Sequence, residues 1–145
     1  MTDNNNVRVA GTHFEWTPAM TVGEPTIDAQ HQRLLAQLNV IMDAIINEAT
    51  LEEVFAAIDF FKEYVDEHLA YEEAYMTRRG YTGIIEHEKK HQNFRDTYQS
   101  FRDKLAGGIT PASLLMEMEV YLGEWWTGHI LHEDKKYYLE LGSAE

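Results

Sequence analysis

The sequence predicts an all-α fold, an antiparallel up-down-up-down four-helix bundle with an N-terminal arm. Four long segments place apolar residues at the three- and four-residue spacing of one helix face. Capping residues and glycines separate these segments, and the breaks are only a few residues long, which favours antiparallel neighbours. With 145 residues the chain has the size of one domain. We assign residues 1–18 to the arm and residues 19–145 to the bundle.

The first two helices carry polar side chains on faces that are otherwise apolar. The predicted inward face of the first helix, from about residue 27 to residue 48, comprises His31, Leu34, Leu38, Ile41 and Ile45. The second helix begins with a capping box from Thr50 to Glu53 and ends at Gly80. Its inward face comprises Val54, Ile58, Phe61, Val65, His68, Glu72 and Tyr75. Histidines and a glutamate therefore occupy core positions.

The same pattern continues in the second half of the chain. The inward face of the third helix, from about residue 83 to residue 106, comprises Ile84, His87, His91, Phe94, Tyr98, Phe101 and Leu105. The fourth helix begins with Thr110 as the cap and Pro111 in the first turn, where the missing N–H of proline costs nothing. Its inward face is predicted to be Leu115, Met118, Leu122, Trp125 and His129.

The polar candidates meet at one end of the predicted bundle, because antiparallel helices one and three start where helices two and four end. Seven candidate metal ligands share that end: His31, His68, Glu72, His87, His91, His129 and Asp134. Burying so many unpaired polar groups costs several kcal/mol, which a metal would offset. Seven donors exceed the four that zinc prefers, so two ions are indicated. Without cysteine, only N and O donors are available, and imidazole suits iron, zinc, copper and nickel.

Asp134 is the one candidate that helical periodicity does not support. It follows His129 by five residues, about 140° around an ideal helix, whereas His132 follows by three and continues the inward face. Periodicity alone therefore favours His132. Asp134 would reach the site only if the fourth helix bends or loosens there, or if the side chain approaches from the rim.

Charge and composition argue against several classes of function. The chain has 12 Lys and Arg against 25 Asp and Glu, a formal net charge of −13, which disfavours nucleic acid and anionic membranes as partners. The polar N-terminus does not resemble a secretory signal, and no apolar run approaches the roughly 20 residues of a membrane span. We therefore expect a cytoplasmic protein and a monomer. On the arm, His13 is expected to be solvated.

Four segments of the chain together resemble one family. They are Val22-Gly23…Ile27-Asp28-Ala29-Gln30-His31, His68-x-x-x-Glu72-Glu73-x-x-Met76, His87-x-x-x-His91-x-x-Phe94 and Trp125-x-x-x-His129-x-x-x-x-Asp134. In residue type, order and spacing they resemble the hemerythrin family, specifically its single-domain bacterial members, over essentially the whole chain after the arm. The resemblance implies a non-haem di-iron centre that takes up dioxygen reversibly.

The resemblance also implies a role for each candidate ligand. The terminal ligands of one iron would be His87, His91 and His129. The terminal ligands of the second iron, which keeps an open position for O2, would be His31 and His68. The bridging ligands, alongside an oxo or hydroxo group, would be Glu72 and Asp134. The resemblance thus favours Asp134 over His132.

Apolar side chains near the ligands are expected to exclude water and to line an O2 pocket. They are Leu34, Val65, Phe94, Trp125 and Trp126. Trp126 departs from the family pattern, which commonly has leucine three residues before the histidine of the fourth helix. Its larger ring could narrow the pocket or alter proton access, although simple packing between helices explains it equally well.

These expectations favour a protein that stores, carries or delivers O2 and is not an enzyme. Its partners would be dioxygen and an unidentified O2-accepting protein. Ferritin-like di-iron oxidases draw on four glutamates and two Glu-x-x-His motifs, a set that this chain lacks. Two alternatives stay open. One is an oxygen or redox sensor acting through a partner; the other is a di-iron peroxidase or nitric oxide reductase, for which His132 and Glu133 lie near enough to serve as acid or base.

Overall fold

Four long helices make up most of residues 13–142, the part of the chain that the computed structural model describes, and no strand occurs in that range. Helix α1 is Pro25–Ile46, α2 is Leu51–Arg79 and α3 is Ile84–Ala106. Helix α4 continues from Pro111 to Leu141 in five consecutive segments: Pro111–Met118, Glu119–Glu124, Trp125–Gly128, His129–Asp134 and Lys135–Leu141. Helices α1 and α3 each pack on both α2 and α4, which confirms the predicted all-α four-helix bundle. Within residues 13–142, no helix is both long enough and apolar enough to cross a membrane.

The helix boundaries follow local capping chemistry. The Thr50 hydroxyl accepts a hydrogen bond from the Glu53 N–H, and the Glu53 carboxylate accepts one from the Thr50 N–H, as the predicted capping box requires. Gly80 ends α2 with φ 72°, a left-handed conformation that favours glycine. Thr110 caps the start of α4 through the Ser113 N–H. These caps hold the helices in the register that brings the polar residues together.

Helix α4 departs from a uniform α-helix, because Glu119–Glu124 and His129–Asp134 are π-helical. One series of its buried residues has a spacing of four: Leu114, Met118, Leu122, Trp126, Ile130 and Asp134. In an ideal α-helix, a spacing of four rotates the buried face by about 40° at each step. A π turn contains one residue more than an α turn, so the two π segments offset this rotation.

The predicted inward face of α4 was therefore wrong at two positions. The structure buries Leu114 and Trp126 in the core. Leu115 and Trp125, predicted to lie there, are only partly buried. At Trp125 the cause is the assumption of regular α periodicity, which the π segments break; Leu115 precedes both π segments.

The residues that precede the bundle pack against it. The backbone N–H groups of His13 and Phe14 donate to Asn39 Oδ1 on α1, both at 2.8 Å. The His13 ring, expected in solvent, instead lies 2.9 Å from Asp43 Oδ1 and is 19% exposed, so that expectation was wrong. The Phe14 ring lies so close to Gly123 of α4 that a Cβ at Gly123 would be 1.9 Å from Phe14 Cζ. Residues 1–12 of the predicted arm lie outside the described range, and the division at residue 18 stays a prediction.

Apolar side chains form two separate buried clusters along the bundle. The larger cluster includes Val65 of α2 and Trp126 of α4. The smaller cluster, which we call the end cap, comprises Val22, Ile27, Tyr75, Met76, Tyr81 and Tyr137. Along α2, His68 and Glu72 lie between Val65 and Tyr75, and the polar residues of α4 lie between Trp126 and Tyr137. The polar end of the bundle is therefore enclosed between two apolar layers.

Candidate metal centre

Seven buried polar side chains from all four helices converge between the two apolar clusters. They are His31 from α1, His68 and Glu72 from α2, His87 and His91 from α3, and His129 and Asp134 from α4. None is more than 5% exposed. Their potential ligand atoms form two overlapping groups, and within each group all atoms lie within 4.8 Å of one another. The structure thus brings together every residue that the sequence analysis put forward as a ligand.

The larger group contains five donors, three of them histidines. His87 Nε2 and His129 Nε2 lie 2.9 Å and 3.0 Å from Asp134 Oδ1. His91 Nε2 lies 3.0 Å from Glu72 Oε1. The three imidazoles therefore direct their Nε2 atoms at the same two carboxylate oxygens.

The smaller group contains four donors, two of them histidines. His31 Nε2 lies 3.0 Å from Asp134 Oδ2 and 3.1 Å from His68 Nε2. Glu72 Oε2 lies 3.7 Å from His68 Nε2 and 3.8 Å from His31 Nε2. This group has one imidazole fewer than the larger group.

Glu72 and Asp134 belong to both groups and face each with a different oxygen. Glu72 directs Oε1 to the five-donor group and Oε2 to the four-donor group. Asp134 does the same with Oδ1 and Oδ2. A carboxylate with one oxygen toward each of two neighbouring sites is suited to bridging two cations.

The π segment His129–Asp134 explains how Asp134 reaches this position. Because a π turn holds an additional residue, the side chain at i+5 takes the place that i+4 occupies in an α-helix. Asp134 is completely buried, whereas His132 is exposed. The periodicity argument for His132 was therefore wrong, since it assumed an ideal α-helix.

Several buried polar atoms in the cluster lack the hydrogen bonds that they would need without a cation. Both oxygens of Asp134 and Nε2 of His91 have no hydrogen-bond partner. Nδ1 of His68 lies 2.8 Å from Gln30 Oε1, which can only accept, so in the neutral ring Nε2 carries a lone pair. His31 Nε2 lies 3.1 Å from that atom. The unpaired carboxylate oxygens and the unpaired ring nitrogen of His91 fit bound cations.

Three residues around the ligands were missed by the sequence analysis. Gln30 accepts from Nδ1 of His68, and Glu73 accepts from Nδ1 of His91 at 2.8 Å. The Tyr137 hydroxyl donates to Glu72 Oε2 at 2.7 Å. Such contacts fix the orientation of metal ligands. Two of these residues directly precede or follow a ligand in sequence, and Tyr137 lies one helical turn after Asp134, so adjacency was the available signal.

Burial and charge in the cluster favour anionic carboxylates. Burial alone would raise the pKa of Asp134, but the surrounding histidines, above all His129, hold that pKa well below its usual value. Burial and Asp134 likewise oppose the ionisation of Glu72, yet His68 and His87 keep the Glu72 pKa well below normal. Burial lowers the pKa of His68 to about 3. At His87 burial is outweighed by the nearby carboxylates of Asp134 and Glu72, which raise its pKa to about 10. The cluster would therefore offer a cation two carboxylate anions.

Of the side chains expected to line an O2 pocket, Trp125 and Trp126 have rings next to ligand histidines. Leu34, Val65, Phe94 and Trp126 are buried in the larger cluster. The Trp126 ring lies 5.7 Å from the His68 ring and 6.0 Å from the His129 ring, measured between centroids. Trp125 instead stacks on the outer side of His129, with centroids 4.4 Å apart and planes within 10°, and lines a surface cleft with Lys90 and His132. Trp126, more than Trp125, occupies the interior beside the cluster.

Comparison with known sequences points to one family. The model of the hemerythrin HHE cation binding domain matches residues 22–141, a range that contains all four helices and all seven clustered side chains. A bacteriohemerythrin of Pseudomonas paraeruginosa is 28% identical over 127 residues, covering 86% of this chain and 79% of its own. Bacteriohemerythrins of Stenotrophomonas maltophilia and Ralstonia nicotianae are each 27% identical, covering 84% and 81% of this chain and 77% and 80% of their own. The chain therefore belongs to the hemerythrin family.

Proposed function

We propose that this protein binds dioxygen reversibly at a non-haem di-iron centre and thereby stores, carries or delivers O2. The observation that carries the proposal is the pair of donor groups, with five and four donors, that share both carboxylates. The match to a cation-binding family model supports occupancy by metal. The choice of iron and O2 follows from the family resemblance and agrees with an imidazole-rich set of N and O donors.

The unequal donor numbers provide a place for a small ligand. In the proposed centre, His87, His91 and His129 hold one iron and His31 and His68 hold the other, with Glu72 and Asp134 shared between them. An iron in the four-donor group would have one protein ligand fewer, which would leave room for a small ligand, as in catalytic metal sites. The two ferrous ions would supply the electrons that O2 takes up, one from each ion.

The surrounding residues are suited to keeping such binding reversible. Gln30 and Glu73 hold the rings of two ligand histidines, and Tyr137 holds one of the shared carboxylates. The end cap and the larger apolar cluster enclose the centre on both sides. Exclusion of water by these layers protects a reactive site from proton leakage and side reactions. This enclosure favours ligand release over irreversible oxidation of the metal.

The positions of His132 and Glu133, the possible acid and base of an enzyme, support O2 binding instead. His132 is exposed, and Glu133 forms ion pairs with Lys90 at 3.7 Å and Lys136 at 3.2 Å. Both line the surface cleft on the outer side of His129, next to the five-donor group. They are therefore on the side of the metal with more protein ligands, away from the group that would keep an open position.

Anaerobic reconstitution with ferrous iron tests the proposal. The loaded protein should gain a visible charge-transfer band when O2 is admitted, lose it on argon flushing, and regain it over repeated cycles. The variant His31→Gln, which weakens only the four-donor group, should keep iron in the five-donor group and show no reversible band. Immediate irreversible oxidation of the wild type would contradict the proposal and favour the sensor or enzyme alternatives.

The proposal includes a monomer that delivers O2 to a separate acceptor protein. A net charge of −13 opposes self-association through electrostatic repulsion. Sedimentation of the iron-loaded protein should give the mass of one chain, 16.8 kDa. A dimer mass at physiological ionic strength would contradict this part of the proposal.

A further inference from the structure

The Trp126 side chain is completely buried, yet its indole N–H has no hydrogen-bond partner. Indole Nε1 is a donor only, so it needs an acceptor from elsewhere. Folded proteins pair nearly all of their buried donors, because a donor stripped of water and left unpaired is destabilising. An acceptor that arrives with a bound ligand would remove this cost.

The indole ring lies beside the proposed centre. Its ring borders one histidine of each donor group, His68 and His129, with centroids 5.7 Å and 6.0 Å away. Phe94 packs on it with centroids 5.1 Å apart. His68 belongs to the four-donor group, whose metal would keep the open position. The ring that carries the unpaired N–H thus borders the four-donor group, the half of the centre that would accept an exogenous ligand.

We propose that the Trp126 indole N–H donates a hydrogen bond to the small ligand of this centre and thereby selects ligands that acquire negative charge. The inference rests on the proposed function, since it presupposes a metal pair with an open position. The ligand class is a small molecule or anion with a lone pair to accept the bond, such as O2 or azide. A hydrogen bond to a charged acceptor is roughly twice as strong as one to a neutral acceptor. Trp126 would therefore determine specificity rather than merely fill space.

Azide binding to the oxidised, iron-loaded protein tests the proposal. Trp126→Phe keeps an aromatic ring and removes the N–H, and it is expected to weaken azide binding about 10-fold with unchanged iron content. Trp16→Phe is the matched control, because Trp16 Nε1 is also buried and unpaired, while its ring packs on the larger cluster outside the ligand set. This control should leave azide affinity unchanged. Equal azide affinity in Trp126→Phe and wild type would overturn the proposal.

The infrared stretch of bound azide separates a hydrogen bond from a steric effect. In wild type and Trp16→Phe, exchange into D2O should shift this frequency, whereas in Trp126→Phe the shift should disappear. An affinity loss with the D2O shift retained would assign Trp126 a steric role only and overturn the proposal. Replacement of Trp126 by 3-benzothienylalanine preserves the bicyclic ring without the N–H and should reproduce both effects, even if phenylalanine leaves a cavity too large for folding.

The two proposals fail in different ways. A wild-type protein that binds neither iron nor O2 refutes the proposed function and this inference with it. A wild-type protein that binds O2 reversibly, with azide affinity and frequency insensitive to Trp126, refutes the inference alone.

Discussion

Replacing Asp134 tests whether the π segment of α4 completes the metal centre. Asp134 directs Oδ2 to within 3.0 Å of His31 Nε2 and Oδ1 to within 2.9 Å of His87 Nε2. Asp134→Asn preserves the shape of the side chain but removes its charge and turns one of these oxygens into an NH2 group, which cannot bind a cation. The orientation of the amide decides whether the five-donor group or the four-donor group loses a donor. The charge that both groups share is lost in every case.

The expected loss of metal affinity is large because Asp134 serves both groups. Removing a residue that only orients a metal ligand costs about 10- to 100-fold in affinity. Loss of a shared ligand should exceed the upper end of that range, more than about 100-fold for the weaker group. The wild type should bind two irons per chain, one for each donor group, and Asp134→Asn should retain at most one after desalting.

Iron counting after anaerobic reconstitution, followed by competition with a chelator, measures this effect. The control is His132→Gln, at the residue that α-helical periodicity favoured and the structure leaves exposed. It should bind two irons with wild-type affinity. Circular dichroism of the metal-free proteins verifies that both variants fold. The reasoning would be refuted if His132→Gln lost iron while Asp134→Asn kept both ions.

Three further predictions concern the packing around the centre. Gly123→Ala places a Cβ 1.9 Å from Phe14 Cζ, so proteolysis before residue 18 should become faster. The free energy of unfolding, measured with urea, should fall by about 1–3 kcal/mol. The control Gly128→Ala, with nothing within 4 Å of its Cβ, should not be destabilised. Tyr137→Phe removes the hydrogen bond to the shared glutamate and should weaken iron binding about 10- to 100-fold in chelator competition; unchanged affinity would contradict the role of that bond. Burial raises the pKa of Tyr98 to about 12, so the unfolded chain ionises first above pH 10 and the folded state loses stability there. Tyr98→Phe has no hydroxyl to ionise, so this loss of stability should be absent. Between pH 8 and pH 11, the free energy of unfolding of the wild type should fall by about 1 kcal/mol more than that of the variant.

The sequence predicted the fold and the first three helices well because these helices obey simple rules. In α1, α2 and α3 the period of 3.6 residues holds throughout, so His31, His68 and His91 fall on the core faces where the structure has them. As expected, the capping box at Thr50 begins α2 and Gly80 ends it. Local propensity and hydrophobic pattern agree in this half of the molecule, which makes prediction reliable.

Helix α4 and the partners of the ligands were harder to predict for physical reasons. The π segments shift the buried face of α4, so Trp126 rather than Trp125 lies in the core. The α-helical period of 3.6 residues does not predict this shift. Gln30 and Glu73 act through ring nitrogens whose orientation depends on tertiary packing. The docking of His13 on α1 likewise depends on contacts between residues far apart in sequence.

The two π segments of α4 explain several features of the molecule. Its first π segment contains Gly123, beneath Phe14, and precedes the turn that buries Trp126. Its second π segment begins at His129 and ends at Asp134, so one histidine and the shared aspartate reach the same centre from positions five apart. A regular α-helix would place those two side chains about 140° apart. Short π segments are rare and occur frequently at functional sites. Their presence twice in the helix that supplies both a shared carboxylate and the unpaired indole is therefore best explained by the demands of the metal centre and not by those of packing alone.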